Sequence, residues 1–220
     1  MKKLIIFIFI FLGISRLEAQ NQLFEGAVKY THYLEITDST MKKQDMALSL
    51  YFGSASILYI KQGHYHWKFA DCSQESQTYI PTTNTLYDKF TKNDTLYTTN
   101  AGIANETIAQ EELKDSKTVV LGEKCKVLIV KSKFPSSGDK RIRLYYFGKK
   151  HTLHPDFYQK YKMNANDKIF AKMGTIPLRF TVVYPSFKIT YVAAEIKRTP
   201  VDIKLFDVKG KKTKPLPTQK

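Results

Sequence analysis

From Phe24 to Thr37 the chain alternates. Phe24, Val28, Tyr30, His32, Leu34 and Ile36 fall on one face, and Glu25, Lys29, Thr31, Glu35 and Thr37 on the other. A period of two sustained over that length predicts one long strand with a buried side and a wet side. Met46, Leu48, Leu50 and Phe52 repeat the pattern and predict a second strand. Ile57–Ile60 and the Tyr65, Trp67, Phe69 face flank Gln62–Gly63, and Thr85–Phe90 and Thr95–Thr99 flank Lys92–Asn93–Asp94. Gln62–Gly63 reads as a turn, and the second arrangement reads as a hairpin. Further strands are predicted at Lys124–Val130, Arg141–Phe147, Leu178–Tyr184, Phe187–Ile196 and Val201–Phe206, with Pro185–Ser186 as a turn.

Helices are few. Asn105 is placed to cap a short exposed helix through Leu113. Pro155 suits a first helical position, with Phe157 and Tyr161 four apart on one face. Short turns between most strands predict an antiparallel, meandering sheet. Each strand is apolar on about one face and needs cover. The expected fold is therefore mainly β: a curved antiparallel sheet or open half-barrel with one or two short helices.

The N-terminus has a different character. Lys2 and Lys3 precede an apolar run from Leu4 to Ile14, interrupted only by Gly13. That run is shorter than the ~20 residues needed to span a bilayer and suits a signal-peptide core, with cleavage after Ala19. The expected organisation is a signal peptide over 1–19, one β-rich domain over 20–208 and a basic disordered tail over 209–220. Export to the periplasm or the outer surface follows. An oxidising destination makes Cys72 and Cys125 a candidate disulfide, worth about 4 kcal/mol by loop closure; two separate thiols are the alternative.

Composition is that of a folded chain, with 43% hydrophobic residues among 220. The formal charge of +15 is unevenly distributed. Gln20–Val119 holds 9 lysines against 12 acids, whereas Val120–Lys220 holds 23 basic residues against 7 acids. Lys140, Arg141, Arg143, Lys149 and Lys150, with Lys211 and Lys212 in the tail, are the candidates for holding an anionic surface. For an exported protein that surface is an anionic membrane or an envelope polyanion rather than nucleic acid.

No motif for nucleophilic, zinc-protease, phosphate-loop or dinucleotide chemistry is present, and neither a catalytic residue nor a cofactor is assigned. His64 and His66 share a strand face, but two ligands beside Lys68 do not make a metal site and read instead as a solvated stripe. Trp67, Phe69, Tyr145 and Phe180 are the candidates for lining a hydrophobic cavity; a filled core is the alternative.

Three stretches carry a resemblance. Thr118–Val119–Val120–Leu121–Gly122–Glu123–Lys124–Cys125–Lys126, Phe24–Glu25–Gly26–Ala27–Val28–Lys29–Tyr30 and Gly174–Thr175–Ile176–Pro177–Leu178 resemble motifs of the exported GLPGLI-like proteins. Glu123 stands where those proteins carry an aromatic, and Gly174–Leu178 lacks their second glycine. The group is related to the lipoprotein carrier fold, an incomplete barrel whose concave face holds acyl chains. The resemblance implies an exported, non-enzymatic envelope protein binding a lipid or other hydrophobic ligand. The rival is a structural or assembly component with a fully packed core.

Overall fold

The structure is a computed structural model, described for residues 23–38, 51–135 and 137–217. The expected signal peptide and most of the strand expected at Met46–Phe52 lie outside the described residues. Of that strand, Phe52 is described, and it is helical.

Among the described residues twelve strands form one open, curved sheet. They are β1 (Gly26–Ile36), β2 (Ala55–Lys61), β3 (His64–Ala70), β4 (Gln74–Ile80), β5 (Thr85–Phe90) and β6 (Leu96–Asn100), then β7 (Thr107–Val120), β8 (Glu123–Lys133), β9 (Lys140–Phe147), β10 (Arg179–Val183), β11 (Phe187–Arg198) and β12 (Thr213–Pro215). The spatial order is β12-β6-β5-β4-β3-β2-β1-β11-β10-β9-β8-β7. All pairings are antiparallel except that of β12 with β6. The Gln62–Gly63 and Leu121–Gly122 turns have positive φ at both residues, the twist that two-residue hairpins need.

Three helical elements sit between β9 and β10 in sequence. They are 3-10 turns at Pro155–Tyr158 and Met163–Ala165, followed by one α-helix, α1 (Asn166–Met173). This segment caps the concave face. Tyr158 and Tyr161 join Val28, Tyr30, Ile60, Tyr65 and Tyr79 in the main core. Ile169 and Met173 of α1 pack on Leu128, Val130 and Phe147 in a second cluster.

Three expectations fail locally. Asn105–Leu113 is not a helix, because Thr107–Val120 pairs with β8 as the long edge strand β7. Its residues are nearly all exposed, so no alternation marked it; the ladder to β8 decides its conformation. Val201–Phe206 is not a strand but a connection ending in a 3-10 turn at Ile203–Phe206, with Val201 and Phe206 buried. It begins a strap across the outer face, anchored where Lys61 Nζ and the Val201 amide both donate to Glu25 Oε1 at 2.8 Å. The basic tail is not wholly free chain either: Thr213–Pro215 lies along Leu96–Thr98 as β12.

The strap also changes the histidine stripe. His66 is 8% exposed, not solvated, and its Nδ1 is 2.7 Å from Thr78 Oγ1. The ring of Phe206 packs against His64 with centroids 5.5 Å apart.

Cys72 and Cys125 are both free. Cys72 follows β3, whereas Cys125 lies on β8, six strand positions away in the sheet order. At about 4.8 Å per step this is far beyond the ~7 Å that a disulfide's Cα atoms allow. Cys125 is a buried apolar side chain of the core, and the Cys72 thiol donates to the Tyr51 carbonyl.

Candidate functional site

Alternation along β9, β10, β11 and β1 places one aromatic from each strand on the concave face, in register. Tyr145 lies opposite Phe180, Phe180 opposite Tyr191, and Tyr191 opposite His32. The rings form a continuous row with centroid separations of 6.2, 4.2 and 4.3 Å, Phe180 and Tyr191 being stacked nearly parallel at 7°. Cross-strand aromatic pairs of this kind stabilise a sheet by tenths of a kcal/mol each. Trp67 of β3 leans onto the row, within 6.0 Å of Phe180 and 5.8 Å of Tyr191.

Between this row and the helical cap lies a cavity of about 230 Å³. Its apolar wall includes Tyr30, Ile60, Trp67, Tyr145, Phe170 and Phe180. Three of the four expected cavity residues, Trp67, Tyr145 and Phe180, therefore meet on it. Phe69 does not line it; it packs on the Trp67 ring at 5.1 Å.

The opposite wall is polar. Arg141, Arg143 and Tyr145 alternate along β9, so both guanidinium groups lie on the concave face rather than on an outer basic surface. Arg143 is 3% exposed. Both arginines pair with Glu106, whose side chain is completely buried. Glu106 also accepts from Ser132 Oγ at 3.0 Å. Asn164 completes the cluster: its carbonyl accepts from Arg143 Nη1 at 2.8 Å and its Oδ1 from Arg141 Nη2 at 3.0 Å. Burial pushes the Tyr145 hydroxyl pKa up, although the two arginines oppose the shift. The spacing Arg141-x-Arg143-x-Tyr145 on a strand was the available sequence signal; the location of Glu106 was not.

The remaining basic candidates stay exposed but apart. Lys140 and Lys149–Lys150 lie at opposite ends of β9, and Lys211–Lys212 precede β12 at the far edge of the sheet. With Arg141 and Arg143 withdrawn into the interior, the seven residues do not form one anionic-surface patch.

Two of the three resembling stretches meet at the cavity. Tyr30 Oη donates to the Pro177 carbonyl at 2.7 Å, and both residues line the cavity. Glu123 occupies the expected aromatic position and uses its carboxylate locally. Its Oε1 accepts the Lys149 and Lys150 amides at 2.6 and 3.0 Å, fixing the turn that leads to the cavity residue Leu153.

No protein-family model and no curated protein matches the chain. Among solved structures it is similar to the lipoprotein LppX of Mycobacterium tuberculosis, at 9% identity over 85% of this chain and 93% of that one, with a TM-score of 0.33. The fold described above rests on its own strand order and register, not on that likeness. Among the described residues no group of three or more His, Cys, Asp or Glu is placed to hold a metal ion.

Proposed function

We propose that the protein is an exported envelope protein, not an enzyme, that binds a lipid or another hydrophobic ligand in the concave face of its sheet. The observation that carries this reading is the aromatic cavity of about 230 Å³ between the sheet and the helical cap. An apolar cavity of ~150 Å³ holds a benzene, so this one suits a ring system or a single short chain. Export is supported by the basic N-terminus and the apolar Leu4–Ile14 run. The exposed lysines Lys140, Lys149, Lys150, Lys211 and Lys212 are available to an anionic membrane or envelope polyanion as dispersed contacts.

The second reading, an assembly or structural component with a packed interior, draws support from the same number. The cavity is smaller than the ~300 Å³ at which ligand sites usually begin. Native mass spectrometry of the protein purified from an exporting cell separates the two. A mass excess that organic solvent removes supports the carrier reading. A bare chain, together with no saturable change of Trp67 emission on titration with octanol, supports the packed component.

A further inference from the structure

The cavity's polar wall carries three donors that lack acceptors. Arg143 Nε, Arg141 Nε and Trp67 Nε1 are buried and without a hydrogen-bond partner among the described residues, and all three side chains line the cavity. An arginine has five N–H donors and no acceptor, and an indole has one donor. The acceptors on the same lining are neutral and engaged: Gln77 Oε1 accepts from Tyr65 Oη at 2.7 Å while its Nε2 donates to Asp88, and the Tyr145 hydroxyl stands beside Arg143.

Charge points the same way. Glu106 is shared by both arginines, one oxygen to each, so the buried Glu106 and Arg143 and the partly exposed Arg141, which also lies over the Phe134 ring, sum to one positive charge. A buried charge without a counter-ion is costly, and its partner is usually found within hydrogen-bond reach. The segment that holds the cluster is also under strain. Asn164 and Ala165 take left-handed backbone conformations in succession, with φ of 55° and 52°, which alanine adopts only when the surroundings over-determine it. Those surroundings are the bonds from Asn164 to Asn105, Arg141 and Arg143.

We propose that the cavity takes an amphiphile of the carboxylate class, a short fatty acid or an aryl carboxylate. Its apolar part lies along Trp67 and Phe180, and its anionic head accepts from Arg143 and Arg141. This rests on the reading of the cavity as a ligand site and names the ligand's chemistry. The head supplies the missing acceptors and neutralises the surplus charge. The apolar wall supplies the contact area for the tail.

Matched probes test it on the full chain, with binding read from the emission of Trp67, the single tryptophan. Octanoate is expected to bind at least about tenfold more tightly than octanol at neutral pH, as charge-assisted hydrogen bonds outweigh neutral ones. Arg143→Gln should reduce that preference to about twofold or less, and an unchanged near-UV circular dichroism spectrum reports that the interior has kept its packing. Glu106→Gln should strengthen octanoate binding by removing the competing carboxylate. If Arg143→Gln does not fold, the wild-type ratio and Arg141→Gln carry the test. Equal affinities for the two probes, or a preference that survives Arg143→Gln, overturn the carboxylate assignment and leave the apolar cavity standing. Binding of neither probe overturns both.

Discussion

The hydroxyls of Tyr65 and Tyr161 lie 2.9 Å apart and join the sheet to its helical cap. Tyr65 Oη donates to Gln77 Oε1, so Tyr161 is the donor in the Tyr65–Tyr161 bond. Around them Tyr79 stacks on Tyr161 at 4.6 Å and on Tyr158 at 6.1 Å. The cap is thus held on one side by tyrosines of two neighbouring strands, β3 and β4. Tyr161→Phe keeps the stacking and deletes one buried hydrogen bond, for an expected loss of about 1 kcal/mol. A lower urea midpoint with an unchanged m-value checks it.

The same tyrosines set the alkaline limit. Burial raises the pKa of Tyr79 to about 12 and holds Tyr30, Tyr65, Tyr158, Tyr161 and Tyr191 well above the ordinary value of 10.0. A raised folded pKa means that the native state binds more protons than the unfolded chain above pH ~10. Stability should be level below that pH and fall steeply from there through about 12. Urea midpoints measured across this range, with phenolate absorbance followed in parallel, test it. A midpoint that does not move would contradict the burial of these hydroxyls.

His66 acts at the acidic end. Desolvation under the C-terminal strap, with Lys68 and Lys211 adding repulsion, lowers its pKa from 6.5 to about 4. The unfolded chain therefore binds the proton first, and this contribution is complete above pH ~6.5 and lost as pH falls towards 4. His66→Gln should flatten the stability profile in that window. The comparison needs only midpoints for the two proteins at pH 7 and pH 5.

At the turn after β9, a Cβ on Gly148 would occupy the space of the Glu123 carboxylate. Gly148→Ala should therefore cost about 1–3 kcal/mol, the usual penalty of overpacking. Glu123→Ala removes the obstacle but also the acceptor of two amides, so the double variant should be less damaged than the sum of the single ones. A strictly additive double-mutant cycle would show that the two residues do not interact.

Val182 lines the cavity and is only partly buried. Val182→Phe should fill part of the void, abolishing the Trp67 response to octanol while changing stability by less than about 1 kcal/mol. Overpacking is costly only where no space exists. A large loss of stability would indicate an interior already full, favouring the structural component.

Much of this architecture was legible in the chain. Alternation is a local property, because a strand places every second side chain on one face whatever its neighbour is. The sequence alone therefore determined that the protein is mainly β and that Gln62–Gly63 makes a turn between two strands. Which strands become neighbours is a long-range outcome, and only the tertiary structure decided it. Thr107–Val120 is extended because β8 offers it a ladder, and Val201–Phe206 leaves the sheet because burying Val201 and Phe206 on its outer face stabilises the strap instead. Cys72 and Cys125 are separated by the strand order. The fate of the arginines shows the same limit most sharply. Read along the chain, Arg141 and Arg143 belong to a basic surface; in the fold they turn inward, because Glu106, more than 30 residues away, is brought to the same face to receive them.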